Sequence, residues 1–131
     1  EKADKKDIKR FYRQQNYSAS FLGLDHCYLV RVEQKIIASV IVSQIMPENS
    51  QHFLHALVVD GQYRQKRLAS TLLRHAIKLY QPLVCFAGAG LARLYTQMGF
   101  KPAEPGNLSQ TLNVRFQAYC KKINDLRIFI H

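Results

Sequence analysis

The run from residue 52 to 87 constrains this chain most. An apolar, aromatic and β-branched stretch, 52-HFLHALVV-59, meets the turn Asp60-Gly61 and then 63-YRQKRLASTLLRHAIKLY-80. In that segment Leu68, Ala69, Leu72, Leu73, Ala76, Ile77 and Tyr80 recur at helical spacing, one apolar stripe over more than three turns. Pro82 ends the helix, and 83-LVCFA-87 is a short, fully apolar run that suits a buried strand. Strand, helix, strand in this order is a crossover unit, which needs a sheet with helices packed on it.

The flanks supply the rest of that sheet. A helix is expected over 4–15, with Ile8, Phe11 and Tyr12 on one face and Asp4 as its cap. Residues 16–24 are polar and small, a loop or a short second helix. The runs 26-HCYLVRV-32 and 36-IIASVIVSQ-44 are separated only by Glu33-Gln34-Lys35, a hairpin signal, and residues 47–50 break the chain again. Gly88 to Gly90 allow a tight turn, 91–98 reads as a helix with Gly99 as its cap, and Phe100-Lys101-Pro102 starts another strand. Leu112, Phe116, Tyr119 and Ile123 predict a helix over 109–123. Last, 126-LRIFI-130 reads as a closing strand, and its edge leaves a homodimer open. The expectation is one domain over 1–131, α/β or α+β, with a mixed sheet.

Composition narrows the function classes. A hydrophobic content of 47% in 131 residues fits one folded core. No run approaches the roughly 18 apolar residues of a spanning helix. The start, EKADKKDIKRFYRQQ, lacks the apolar core of a signal peptide, so a soluble, cytoplasmic protein is expected. The three cysteines, Cys27, Cys85 and Cys120, are odd in number and widely spaced. None of the five histidines forms a His-Glu-x-x-His pair, so neither a disulfide framework nor a metal site is expected. The net charge of +10 points to phosphates, without saying whether a polymer or a small ligand carries them.

The cations at 64-RQKR-67 crowd the start of the predicted helix, straight after a strand and a turn. A helix N-terminus in that setting offers unpaired N–H groups and the positive end of its dipole, a cradle for a phosphate. A DNA-reading helix would instead spread its cations along one face and follow a partner helix. Neither the Gly-x-x-x-x-Gly-Lys-Ser/Thr of a nucleotide loop nor a Gly-x-Gly-x-x-Gly is present. The stretch 57-LVVDGQYRQKRLASTLLRHA-76 resembles the acyl-CoA-binding signature of the GNAT superfamily of N-acetyltransferases. That signature is an apolar strand, a turn, Arg/Gln-x-x-Gly-x-Gly/Ala and a Leu-Leu helix. Arg64, Gln65, Lys66, Arg67, Leu68 and Ala69 stand at its six positions. In addition, 91-LARLYTQMGF-100 is similar to the family's Ala-x-x-Leu-Tyr-x-x-x-Gly-Phe segment through Leu94, Tyr95, Gly99 and Phe100. Two residues depart from the pattern: Arg67 replaces the central glycine of the phosphate motif, and Gly88 stands where many members carry asparagine.

The resemblance implies a GNAT-like, mostly antiparallel mixed sheet flanked by helices, and transfer of an acetyl group from acetyl-CoA directly to an amine acceptor. It implies that the N–H groups of Gln65 to Ser70 hold the CoA pyrophosphate, with Arg67 able to clasp a phosphate. The strand edge at Leu57, Val58 and Val59 would bind the pantetheine arm, and an N–H near Val58 or Val59 would polarise the thioester oxygen. Tyr95 matches the tyrosine that protonates the departing thiolate, and a phenol stays protonated at neutral pH. His55 falls near a common base position and shares a face with Phe53, with His52 and Glu48 behind it. The alternative is loss of the amine's proton to a water chain, with no side-chain base. Tyr12, Tyr17 and Phe21 either line the acceptor pocket or pack on the core. Two other readings stay open: a catalytically weak CoA-binding regulatory module, and a basic nucleic-acid-binding domain. No metal and no membrane partner is expected.

Overall fold

A computed structural model describes residues 5–15, 24–44, 51–64 and 67–131. The chain runs α1 (Lys5–Gln14), β1 (Leu24–Val32), β2 (Lys35–Gln44), β3 (His52–Val59), α2 (Leu68–Leu79), β4 (Leu83–Ala87), α3 (Ala89–Gln97), β5 (Lys101–Ala103), α4 (Gln110–Cys120) and β6 (Arg127–Ile130). The strands form one six-stranded sheet in the order β1-β2-β3-β4-β6-β5. Neighbours are antiparallel except β3 and β4, which are parallel and joined through α2. The class is the mixed α/β architecture expected from the sequence.

Strand alternation sorts the apolar residues onto two faces. Val40 and Val42 of β2, Leu54 of β3 and Cys85 of β4 meet Leu72, Leu73 and Ala76 of α2 and Tyr95 of α3. On the other face, Ile8, Phe11 and Tyr12 of α1 cover Ile36, Ile41 and Ala56, while Leu112 and Phe116 of α4 cover Phe53, Val84 and Ile128. Each of the fully buried leucines contributes about 1.5–3 kcal/mol by leaving water. The hairpin between β1 and β2 turns at Glu33 and Gln34, with φ of 50° and 69°. Two positive φ angles in a row give the two-residue turn whose twist matches its strands.

Several expectations are corrected. Asp4, Tyr17, Phe21, Glu48, Gln65 and Lys66 lie outside the described residues, as do 16–23 and 45–50. The helix that carries the basic motif does not start near Arg64: Gly61–Tyr63 form a short 3₁₀ turn, and α2 begins only at Leu68 with Arg67 as its N-cap. Gly88 to Gly90 are not a tight turn. Gly88 caps α3, whose first turn already contains Ala89 and Gly90. The first-turn N–H groups have no intrahelical partner, so glycine forfeits little there. α4 stops at Cys120, leaving Ile123 beyond it and 47% exposed. Finally, 126–130 does not offer an open edge, because β6 lies between β4 and β5 and is hydrogen-bonded on both sides.

Candidate active site

The site is created where β3 and β4 part. Their parallel pairing covers only His52, Phe53 and Leu54 against Leu83, Val84 and Cys85. Beyond Leu54, β3 bulges against β2: His55 faces Ile41 and Val58 faces Ser39, so three steps on β3 match two on β2. Ala56 absorbs the extra residue at φ 58°. Tyr12 of α1 holds that conformation, because its hydroxyl donates to the Ala56 carbonyl at 2.7 Å and lies 3.0 Å from Ser39 Oγ. Tyr12 is therefore a core residue that braces the bulge and does not line the cleft.

The parted strands open a cleft of ≈ 410 Å³ lined by His55, Leu57, Phe86, Tyr95, Tyr119 and Lys122, among others. Tyr95 packs with the α2–α3 face, where its ring lies 5.3 Å from Phe100 and 6.0 Å from Phe129. His55 belongs to the opposite face, stacked on Phe53 with centroids 5.0 Å apart. The gap between β3 and β4 is what lets two side chains from opposite faces reach one cleft. His52 projects to the α2 side instead, 5.0 Å from the Tyr80 ring, and drops out as an alternative to His55.

His55 Nε2 lies 2.8 Å from Ser43 Oγ of β2, and Ser43 Oγ–H donates to Asp25 Oδ1 of β1. Burial pushes the imidazole down to about 4, with the Asp25 charge pulling it back up and the Arg115 charge of α4 adding to the depression. His55 is thus neutral across the physiological range. Arg115 itself keeps a buried Nε with no hydrogen-bond partner among the described residues.

At the far end of β3 the backbone is directed at the opening. Asp60 N–H turns to β2, donating to the Ile37 carbonyl at 2.7 Å. Peptide groups alternate along a strand, so the Val59 N–H and carbonyl face the parted side and Val58 faces β2. Arg64 Nε reaches that Val59 carbonyl at 3.4 Å. Asp60 fixes the turn by accepting from Gln62 N–H at 2.9 Å, with Lys35 Nζ at 3.9 Å. Arg67 then stands in the left-handed region, φ 58° and ψ 26°, the conformation a glycine would adopt most freely. The Arg67 side chain does not cap α2, and among the described residues no side chain accepts from the first-turn N–H groups at Leu68, Ala69 and Ser70. An exposed Arg67 side chain at a helix N-terminus and a Val59 peptide turned away from β2 could hold a phosphorylated cosubstrate with an amide-bearing arm. The space around Gly88 would admit a side chain, so crowding does not explain the missing asparagine.

Sequence reasoning overlooked Asp25, Ser43 and Arg115. Ser39 and Ser43 did carry a signal: they sit at even spacing in the otherwise apolar 36-IIASVIVSQ-44, hence on one face, and both are 0% exposed. Buried hydroxyls require partners.

A family model described as "Acetyltransferase (GNAT) family" matches residues 3–100. Among solved structures, a GNAT-family acetyltransferase from Staphylococcus aureus Mu50 superposes with a TM-score of 0.69 at 15% identity, covering 100% of this chain and 94% of that one. N-acetylglutamate synthase from Neisseria gonorrhoeae, complexed with coenzyme A and N-acetyl-glutamate, gives 0.68 at 14% identity, over 93% of this chain. The same enzyme with coenzyme A and L-arginine gives 0.72 at 12% identity, over 100% of this chain. This chain spans 30–31% of the synthase's length. No curated protein matches by sequence.

Proposed function

The chain belongs to the acetyltransferase (GNAT) family, and we propose that it moves an acetyl group from acetyl-CoA directly to an amine. The observation that carries this reading is that His55 and Tyr95, from opposite faces of the sheet, line one cleft beside the point where β3 and β4 part.

Acetyl-CoA supplies the acetyl group as a thioester, which the amine attacks with C–N bond formation and C–S cleavage. The first turn of α2 and the Arg64 and Arg67 side chains hold its phosphates, where the helix dipole adds to their charge. The strand edge at Leu57 to Val59 orients the pantetheine arm, and the Val59 N–H stabilises negative charge on the thioester oxygen. His55 accepts the proton the amine loses. Tyr95 gives its phenolic proton to the sulfur, and solvent returns the two groups to their starting states.

The test is thermal melting with acetyl-CoA against ATP and a short RNA, followed by a thiol-release assay over an amine panel. Acetyl-CoA at 100 times its Kd is expected to stabilise by about 2.7 kcal/mol, with no comparable effect of the controls. Tyr95→Phe should keep that shift and lower kcat by about 10²-fold or more. Stabilisation with no thiol release on any amine would favour the regulatory module, and an RNA-specific shift would favour a nucleic-acid role.

A further inference from the structure

Three strands contribute one polar side chain each to a line that crosses the sheet on its α1–α4 face. Asp25 of β1 is the cross-strand partner of Ser43 of β2, and Ser43 in turn faces Phe53 of β3, two residues before His55. The result is the continuous path Asp25 Oδ1, Ser43 Oγ, His55 Nε2.

The proton count along this path has one solution. An ionised carboxylate only accepts, so the single hydroxyl proton of Ser43 is directed to Asp25. Ser43 Oγ can then only accept from His55, which requires the proton on Nε2. A neutral imidazole with Nε2–H carries its lone pair on Nδ1. Nδ1 has no hydrogen-bond partner among the described residues, and His55 lines the cleft, so its lone pair is left for a group bound there. The other groups around the imidazole are the Phe53 ring of β3 and the Arg115 charge of α4, with Lys122 lining the same cleft.

We propose that Asp25 and Ser43 are positioning residues, a hydrogen-bonded brace that holds His55 as the Nε2–H tautomer and presents Nδ1 to the acceptor amine. The proposal rests on the acetyl-transfer reading for its consequence, though not for its geometry. When His55 takes the amine's proton on Nδ1, Nε2–H keeps its bond to Ser43, and the Asp25 charge lies two hydrogen bonds from the new imidazolium. No bond other than N–H changes on the brace. Ser43, fully buried and without an exposed face, acts only through its hydroxyl.

The first test is independent of activity. Imidazole ¹⁵N–¹H correlation spectra, with His55 assigned by its loss in His55→Gln, are expected to show the Nε2–H tautomer at neutral pH. Ser43→Ala is expected to shift it to Nδ1–H or to a mixture. In the thiol-release assay, Ser43→Ala should lower kcat by about tenfold or more and leave the KM for acetyl-CoA unchanged. In a His55→Gln background it should then have no further effect. Ser43→Thr, which keeps the hydroxyl, should restore both signals. An Nδ1–H tautomer in the unaltered protein, or a tautomer that Ser43→Ala does not move, overturns the brace. An unchanged kcat in His55→Gln would remove the base assigned above, while the spectra alone would still decide the brace.

Discussion

At Arg67 the backbone adopts φ 58° and ψ 26°, where a residue with a Cβ carries about 1–2 kcal/mol of steric cost and glycine carries none. Arg67 stands where the resembled motif has glycine, and it adopts a conformation that glycine reaches most freely. At this position the chain carries an exposed guanidinium directly before the first turn of α2. Arg67→Gly is expected to leave the melting midpoint unchanged or raise stability by up to about 1 kcal/mol, since glycine's unfolded-state entropy offsets part of the relief. Arg67→Val, whose branched Cβ is excluded from this region, should cost about 1–2 kcal/mol or more in the same measurement. If both variants melt alike, the left-handed conformation at residue 67 is not maintained. The sequence placed Arg67 at the glycine position, but a backbone angle is not written in a residue type that avoids it.

Among the elements, β3 shapes the candidate site. Its bulge at Ala56 re-aims the strand, ends the pairing with β4 and leaves Val59 on the open side. α1 takes part through Tyr12, whose hydroxyl donates to the Ala56 carbonyl. Tyr12→Phe would leave that buried carbonyl short of its donor, at a cost of about 1–3 kcal/mol. The loss should appear in a denaturant titration as a lower midpoint with an unchanged slope. On the proposed reading it should also raise the KM for acetyl-CoA, because the bulge sets the strand edge proposed to orient the pantetheine arm. A normal midpoint and KM would mean that α1 covers the sheet without shaping it. The period-2 pattern of 52-HFLHALVV-59 announces a strand, and nothing in it announces the extra residue. An alanine at positive φ is forced there by what packs around it.

For the whole molecule, the buried His55 links stability to pH. Its imidazole sits at about 4 when folded and near 6.5 when unfolded, so between these values the unfolded chain binds the proton more readily. His55's contribution is complete above about pH 6.5 and is lost as pH falls toward and through 4. By about pH 4.5 that loss reaches about 2–3 kcal/mol. Stability curves at pH 7 and pH 4.5 should therefore differ less in His55→Gln than in the unaltered protein. An equal difference would mean that His55 titrates alike in both states. The sequence by itself determined the order of elements, the crossover at 52–87 and the two segments that mark the family. Those features are local: side-chain periodicity, turn residues and a short motif follow from neighbours along the chain. Tertiary structure alone decided that β6 lies inside the sheet, that β3 and β4 part after Leu54, and that Asp25, Ser43 and His55 fall in line. Each of these depends on strand register between distant segments, and register is fixed only when the faces of the whole sheet are buried together.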